Sequence, residues 1–166
     1  TLTFKGSIHA ILYQYKHYPI ILSDSSDQAE GFLENIRVEF EENGLIREDF
    51  GNLQGKVWRN NVILTTTNIK VEAIGSGKKI RGRKHRNWRP DLLVLDEAGS
   101  LCQLDMLEDM NTLRQLVEHK PAGLELVITA HEPAQWLMDA ADYCTEMRCH
   151  RHPFDRGIPG RKGVEF

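Results

Sequence analysis

The chain has 166 residues, a formal net charge of -3, 40% hydrophobic and 27% charged residues, a make-up that excludes disordered, collagenous and fibrous classes. Its apolar runs, among them 20–22, 92–95 and 126–128, are too short to cross a bilayer, and no secretory leader is expected from its first residues. One soluble, cytoplasmic domain over 1–166 is therefore expected. The charge is uneven: residues 1–90 carry 14 Lys/Arg against 10 Asp/Glu and residues 91–166 carry 7 against 14, which hints at a basic working face in the first part.

Taken in chain order, apolar residues from Ile8 to Tyr15 recur at helical spacing, and 18–22 reads as a short buried strand running into the turn-rich 23–27. Asp27, with Glu30 three residues on, predicts a capping box. Phe32, Leu33, Ile36 and Phe40 then form one helical stripe that Asn43-Gly44 ends. Val62–Thr66 and Ile69–Ile74 read as two β segments around the turn residue Asn68. A Gly-rich basic loop over 75–89 follows, then the strand 91–95. Leu104, Leu107, Met110, Leu113 and Leu116 place a long helix over 101–117. A strand over 124–129, a helix over about 133–141 and a strand over about 143–148 complete the pattern, ahead of a Pro/Gly-rich tail. Continuous apolar strands separated by helices predict an α/β protein with a mostly parallel sheet covered on both faces.

The strand 92–95 delivers two adjacent carboxylates, Asp96 and Glu97, to its C-terminal edge, where open α/β sheets bind ligands. In such a pattern, of the Walker B kind, the first acid holds hydrated magnesium and the second orients or deprotonates water beside a γ-phosphate. A solvated acidic turn or a helix cap accounts for the pair equally well. Thr129-Ala130-His131 follows the strand 124–128, so Thr129 and His131 are expected at the same edge, facing a nucleotide or capping a helix. Gly75-Ser76-Gly77-Lys78-Lys79 is not a phosphate-binding P-loop: the pattern requires Gly at Glu72 and Ser or Thr at Lys79. A helix starting near Thr1 would fit directly behind a Gly-Lys-[Ser/Thr] loop, and such a loop is not among these residues. The chain is thus expected to begin inside a longer natural sequence.

Lys78, Lys79, Arg81, Arg83, Lys84, Arg86 and Arg89 place seven cations in twelve residues, with His85 and Trp88 among them. They suit nucleic-acid phosphates, with Trp88 for stacking, or one arginine, assigned here as Arg81, facing a γ-phosphate. A solvated basic loop is the plain alternative. Trp58 and Trp136 sit in apolar contexts and are expected to pack. Cys102, Cys144 and Cys149 lack paired spacing and suit core filler or free thiols. His150, His152 and Asp155 lack the helical spacing of a zinc site.

Two resemblances meet on the 92–97 strand. Ser23-Asp24, Gln28-Ala29-Glu30, Asn35-Ile36, 47–51, Gly75-Ser76-Gly77, Ile80-Arg81-Gly82 and Arg89-Pro90-Asp91 before Leu95-Asp96-Glu97 resemble the ATPase domain of phage terminase large subunits over about 1–97. That resemblance implies an ATP-driven DNA motor, with Asp96 and Glu97 as the Walker B acids and Thr1 as the last Walker A residue. From about 92 to 166 the chain is similar to the ATP:corrinoid adenosyltransferases of cobalamin synthesis, through Leu95-Asp96-Glu97, 126–129, Ala140-Ala141-Asp142, Thr145-Glu146-Met147 and 152–166. This second resemblance implies a transferase taking ATP and a corrinoid, with Glu97 assisting Mg2+ and the segment after Thr129 near ATP. Ala130-His131 departs from the family's Gly-Arg or Gly-His.

Both families use a three-layer α/β/α P-loop sheet, so the expected fold is that sheet without its Walker A loop, a hybrid of two P-loop families in one domain. The expected function is corrinoid adenosyltransferase-like, with Glu97 catalytic, Asp96 and Glu97 on Mg2+, and Thr1, Arg81, Thr129 and His131 on ATP. A terminase ATPase fragment touching DNA through 78–89 and a catalytically inactive module are the alternatives, and a homo-oligomer is left open.

Overall fold

The computed structural model describes residues 2–75, 78, 82–97, 110–148, 150–151 and 156–157. Within them, helices α1 (Leu2–Leu12), α2 (Ser26–Glu42), α3 (Gly44–Phe50), α4 (Met110–His119) and α5 (Gln135–Ala140) surround strands β1 (Pro19–Ser23), β2 (Gln54–Arg59), β3 (Val62–Thr65), β4 (Lys70–Gly75), β5 (Leu92–Leu95) and β6 (Glu125–Ile128). The strands form one sheet in the order β2-β3-β4-β1-β5-β6. β4, β1, β5 and β6 run parallel, while β2 and β3 are antiparallel additions beside β4. Strands from before and after the acidic pair share this sheet.

The sheet is covered on both faces, and strand periodicity divides the core between them. Ile21, Val71, Ala73, Leu92 and Val94 meet α1 through Ile8 and Ile11, and α2 through Ala29, Leu33, Ile36 and Phe40. Ile20, Leu22, Ile74, Leu93 and Leu95 meet α4 through Leu113, Leu116 and Val117, and α5 through Trp136. Every residue of β1 and β5 is buried, the burial that continuous apolar strands require. Trp58 and Trp136 pack against the two cores as expected.

Several local readings change. α2 is capped by Ser25, whose extended backbone lets its hydroxyl accept from the Gln28 amide, and Asp27 lies inside the first turn. There its charge suits the helix dipole. Asn43 ends α2 and also caps α3 by accepting from the Leu45 and Ile46 amides, so the predicted stop is also a start. β2 was not foreseen; it pairs with β3 across the two-residue connection Asn60-Asn61. Of the predicted helix over 101–117, residues 101–109 lie outside the described residues, and the remainder runs on to His119. β6 is only half covered, because Glu125 and Val127 face away from the α4 side and stay exposed.

Residues 143–148 form no strand. Tyr143 and Met147 are 94% and 79% exposed, Glu146 pairs locally with Arg148, and the alternating set Tyr143, Thr145 and Met147 stays exposed, with nothing packed on it to reward strand pairing. Cys144 is an exposed free thiol; Cys102 and Cys149 lie outside the described residues. No helix among the described residues is long and apolar enough to cross a membrane.

Parallel register brings the site together. Ser23 lies opposite Gly75, Leu22 opposite Leu95, and Leu95 opposite Ile128, so the residues that follow share one carboxyl edge. A Cβ at Gly75 would come within 2.5 Å of the Ser26 amide nitrogen, and glycine there lets the start of α2 abut the edge.

Candidate active site

Asp96 and Glu97 leave β5 at this edge, and the ladder continues one residue beyond the strands to hold the site. The Asp96 amide donates to the Leu22 carbonyl at 2.9 Å and the Thr129 amide to the Leu95 carbonyl at 3.0 Å. Thr129 then serves both acids through one hydroxyl. Its Oγ1 donates to Asp96 Oδ1 at 2.9 Å and accepts the Glu97 amide at 2.9 Å. The Glu97 backbone sits at φ 57, a left-handed conformation that costs an L-residue about 1 kcal/mol, and the bond from Thr129 supports it. His131 Nε2 stands 3.6 Å from Glu97 Oε1, with the two side chains 88% and 49% exposed.

The structure thus brings together Asp96, Glu97, Thr129 and His131. Thr129 caps no helix: α5 begins at Gln135 behind Ala134, which offers no side-chain cap. Thr1 and Arg81 lie outside the described residues, as do His152 and Asp155. Of the basic loop, Arg83 is turned inward to Glu72 at 2.8 Å. Trp88 already stacks one face on His17, with ring centroids 3.7 Å apart and planes within 8°.

Asp96, Glu97 and Thr129 offer oxygen donors at the edge, the kind that a hard divalent cation takes, and His131 adds a ring nitrogen beside Glu97. Among the described residues no group of three or more His, Cys, Asp and Glu forms a metal cage. Magnesium fits such a place through one or two carboxylates completed by water and phosphate oxygens.

A second polar cluster was not anticipated. Tyr18, almost fully buried, donates from its hydroxyl to Glu72 Oε2 at 2.5 Å. Lys70 Nζ lies 2.6 Å from Glu72 Oε1 and Arg83 completes the group. Burial alone would raise the Glu72 pKa, but hydrogen bonds from Lys70, Tyr18 and Arg83 and the Lys70 charge hold it below the ordinary carboxylate value. Burial, and then the bond and charge of Glu72, push the Tyr18 phenol upward. Asp91, at the start of β5, accepts the amides of His17 and Tyr18 at 2.7 and 2.8 Å. The Lys70/Glu72 spacing, with both side chains on one strand face, was the only sequence signal for this cluster.

A mostly parallel, doubly covered sheet with an acidic pair at its carboxyl edge is an α/β architecture, a class whose open sheets bind ligands at that edge. Residues 33–166 match the family described as ATP:corrinoid adenosyltransferase BtuR/CobO/CobP, and the chain belongs to that family. The match takes in β1's neighbour β4 and most of α2 as well as the later strands, so it reaches well into the stretch with terminase-like motifs. Among curated proteins, the chain is 35% identical over 81 residues to a corrinoid adenosyltransferase of Sinorhizobium sp, covering 49% of this chain and 38% of that protein. It is 36% identical over 75 residues to one of Pseudomonas aeruginosa, covering 45% and 36%. To the corrinoid adenosyltransferase CobA of Salmonella typhimurium it is 26% identical over 76 residues, covering 46% and 38%. The chain spans less than two fifths of the length of these relatives.

Proposed function

We propose that this chain supplies the magnesium–triphosphate end of an adenosyl transfer from ATP to a reduced corrinoid. The observation that carries the reading is the Thr129 hydroxyl joining the Asp96 carboxylate to the Glu97 amide at the carboxyl edge. In the reaction, cobalt(I) of the corrinoid substrate is the nucleophile. Its electron pair forms the bond to C5′ of ATP, the C5′–O bond breaks, and triphosphate leaves with that bond's pair. Magnesium held here supplies positive charge to the departing triphosphate.

The residues of the chain have positioning tasks. Asp96 and Glu97 hold the ion through oxygen, and Thr129 fixes the Asp96 carboxylate and the Glu97 backbone so that little reorganisation is needed there when charge develops. His131 lies beside Glu97 and presents its ring to solvent, where it can donate to a phosphate oxygen. Thr1, from the resemblance of its position to the end of a Walker A motif, and Arg81, from its place among the loop's cations, are proposed as further ATP contacts.

The test is anaerobic incubation of the chain with Mg2+, ATP and a chemically reduced corrinoid, following the absorbance of the Co–C bond and the phosphorus products. Expected are alkyl-cobalt and free triphosphate in equal amounts, with each reduced about 100-fold by D96N. Release of ADP and inorganic phosphate without alkyl-cobalt would instead favour ATP hydrolysis with Glu97 as base, the motor reading that the terminase resemblance carries.

A further inference from the structure

The turn over 82–90, the last part of the basic loop, lies at the opposite end of β5 from Asp96 and Glu97, and adenosyl transfer gives it no task. Residues 82–90 contain four cations and no acid. The segment is fastened to the amino ends of two neighbouring parallel strands, β4 and β1, before it runs into β5. Arg83 bonds Glu72 of β4 at 2.8 Å, His85 Nε2 lies 3.0 Å from the Asn68 carbonyl just before β4, and Trp88 stacks on His17 just before β1. The His85 and Trp88 backbones exchange hydrogen bonds of 2.9 and 2.8 Å, closing a tight turn with Arg86 at φ 51. Lys84, Arg86 and Arg89 are exposed, and no ion pair holds them among the described residues. Trp88 keeps 45% of its surface exposed while His17 backs one face.

We propose that this braced turn binds single-stranded nucleic acid, with Lys84, Arg86 and Arg89 on backbone phosphates and the open face of Trp88 under a base. Cations beside an aromatic face are the two parts that such binding uses. A turn already held in shape loses little conformational freedom when a strand docks. An acidic protein segment would use the cations and have no need of the indole face, so the Trp88 stack favours the nucleic acid.

The experiment is fluorescence anisotropy of the whole chain with labelled oligo-dT and oligo-rU, across a salt series, against polyglutamate as a base-free polyanion. Three phosphate contacts on a single strand predict a log K against log salt slope of roughly -2. K84Q/R86Q/R89Q is expected to flatten that slope to near zero; its side chains are exposed, and an unchanged circular dichroism spectrum checks its fold. W88A is expected to weaken oligonucleotide binding about 5- to 150-fold, W88F to recover most of it, and neither to alter polyglutamate binding. Failure to bind either oligonucleotide at low salt, or binding untouched by the triple variant, would overturn the proposal. Equal binding of polyglutamate, or equal loss of both ligands in W88A, would point to an acidic protein partner and overturn it too.

Discussion

Replacing Thr129 by valine keeps the shape of the side chain and removes only the hydroxyl that serves both acids. Two bonds of 2.9 Å are lost. One goes to a carboxylate at the half-buried rim and one comes from a neutral amide, together about 2 kcal/mol. For a chain of this length each kcal/mol moves the melting temperature by about 2–4 °C, so T129V is expected to melt about 4–8 °C lower than the parent. T129S, which keeps the oxygen, should stay within about 3 °C. Function separates the variants further. Freeing Asp96 and the left-handed Glu97 backbone is expected to weaken divalent-ion binding about 10-fold, the usual effect of losing a group that orients a ligand. Thermal denaturation followed by circular dichroism, with Mg2+ titration calorimetry in the presence of ATP, measures both effects. If T129V matched the parent in both measurements while T129S fell below it, the hydroxyl clip would have no role and the reasoning would fail.

Other outcomes follow from the same geometry. E97G removes a Cβ from a backbone at φ 57 and is expected to raise the melting temperature by about 2–4 °C while abolishing magnesium-dependent triphosphate binding; a lower melting temperature would show that the conformation carries no strain. E72Q leaves Lys70 and Arg83 facing a neutral amide and should cost about 2 kcal/mol in urea denaturation at pH 7. Because the folded Glu72 pKa lies below its ordinary value of 4.5, the stability it contributes is complete above that pH. It is lost as pH falls through the folded value, so the gap between the parent and E72Q should be constant from pH 7 to about 5 and narrow below. A gap that widened on acidification would contradict the assigned direction.

What could be read in the sequence was set by pattern length and chain separation. β1 and β5, buried on both faces, show as continuous apolar runs, and the α2 stripe of Leu33, Ile36 and Phe40 is periodic enough to be unmistakable. The carboxylates at 96 and 97 follow directly from where the β5 run stops. Contacts set by register were not legible. Thr129 reaches Asp96 only because Leu95 lies opposite Ile128, and no local signal fixes that alignment. Tyr18 and Glu72 meet because Ile20 pairs with Glu72 across the sheet, with the phenol reaching over from two residues earlier, on the side of the sheet that Ile20 also faces. The antiparallel β2 was within reach, since Asn60-Asn61 between Trp58 and Val62 is a plausible two-residue hairpin connection. The strand expected over 143–148 shows the reverse error: Tyr143, Thr145 and Met147 alternate as a strand face would, but with Tyr143 and Met147 exposed the pattern alone does not make a strand.

The most direct measurement of the proposed site is paramagnetic broadening in the isotope-labelled chain, with Mn2+ and ATP replacing the magnesium complex. Broadening should centre on the amides of Asp96, Glu97, Thr129 and His131, spare the Lys84–Arg89 turn, and vanish in D96N. Broadening centred elsewhere, or unchanged by D96N, would contradict a divalent ion held at the carboxyl edge by the pair that Thr129 fixes.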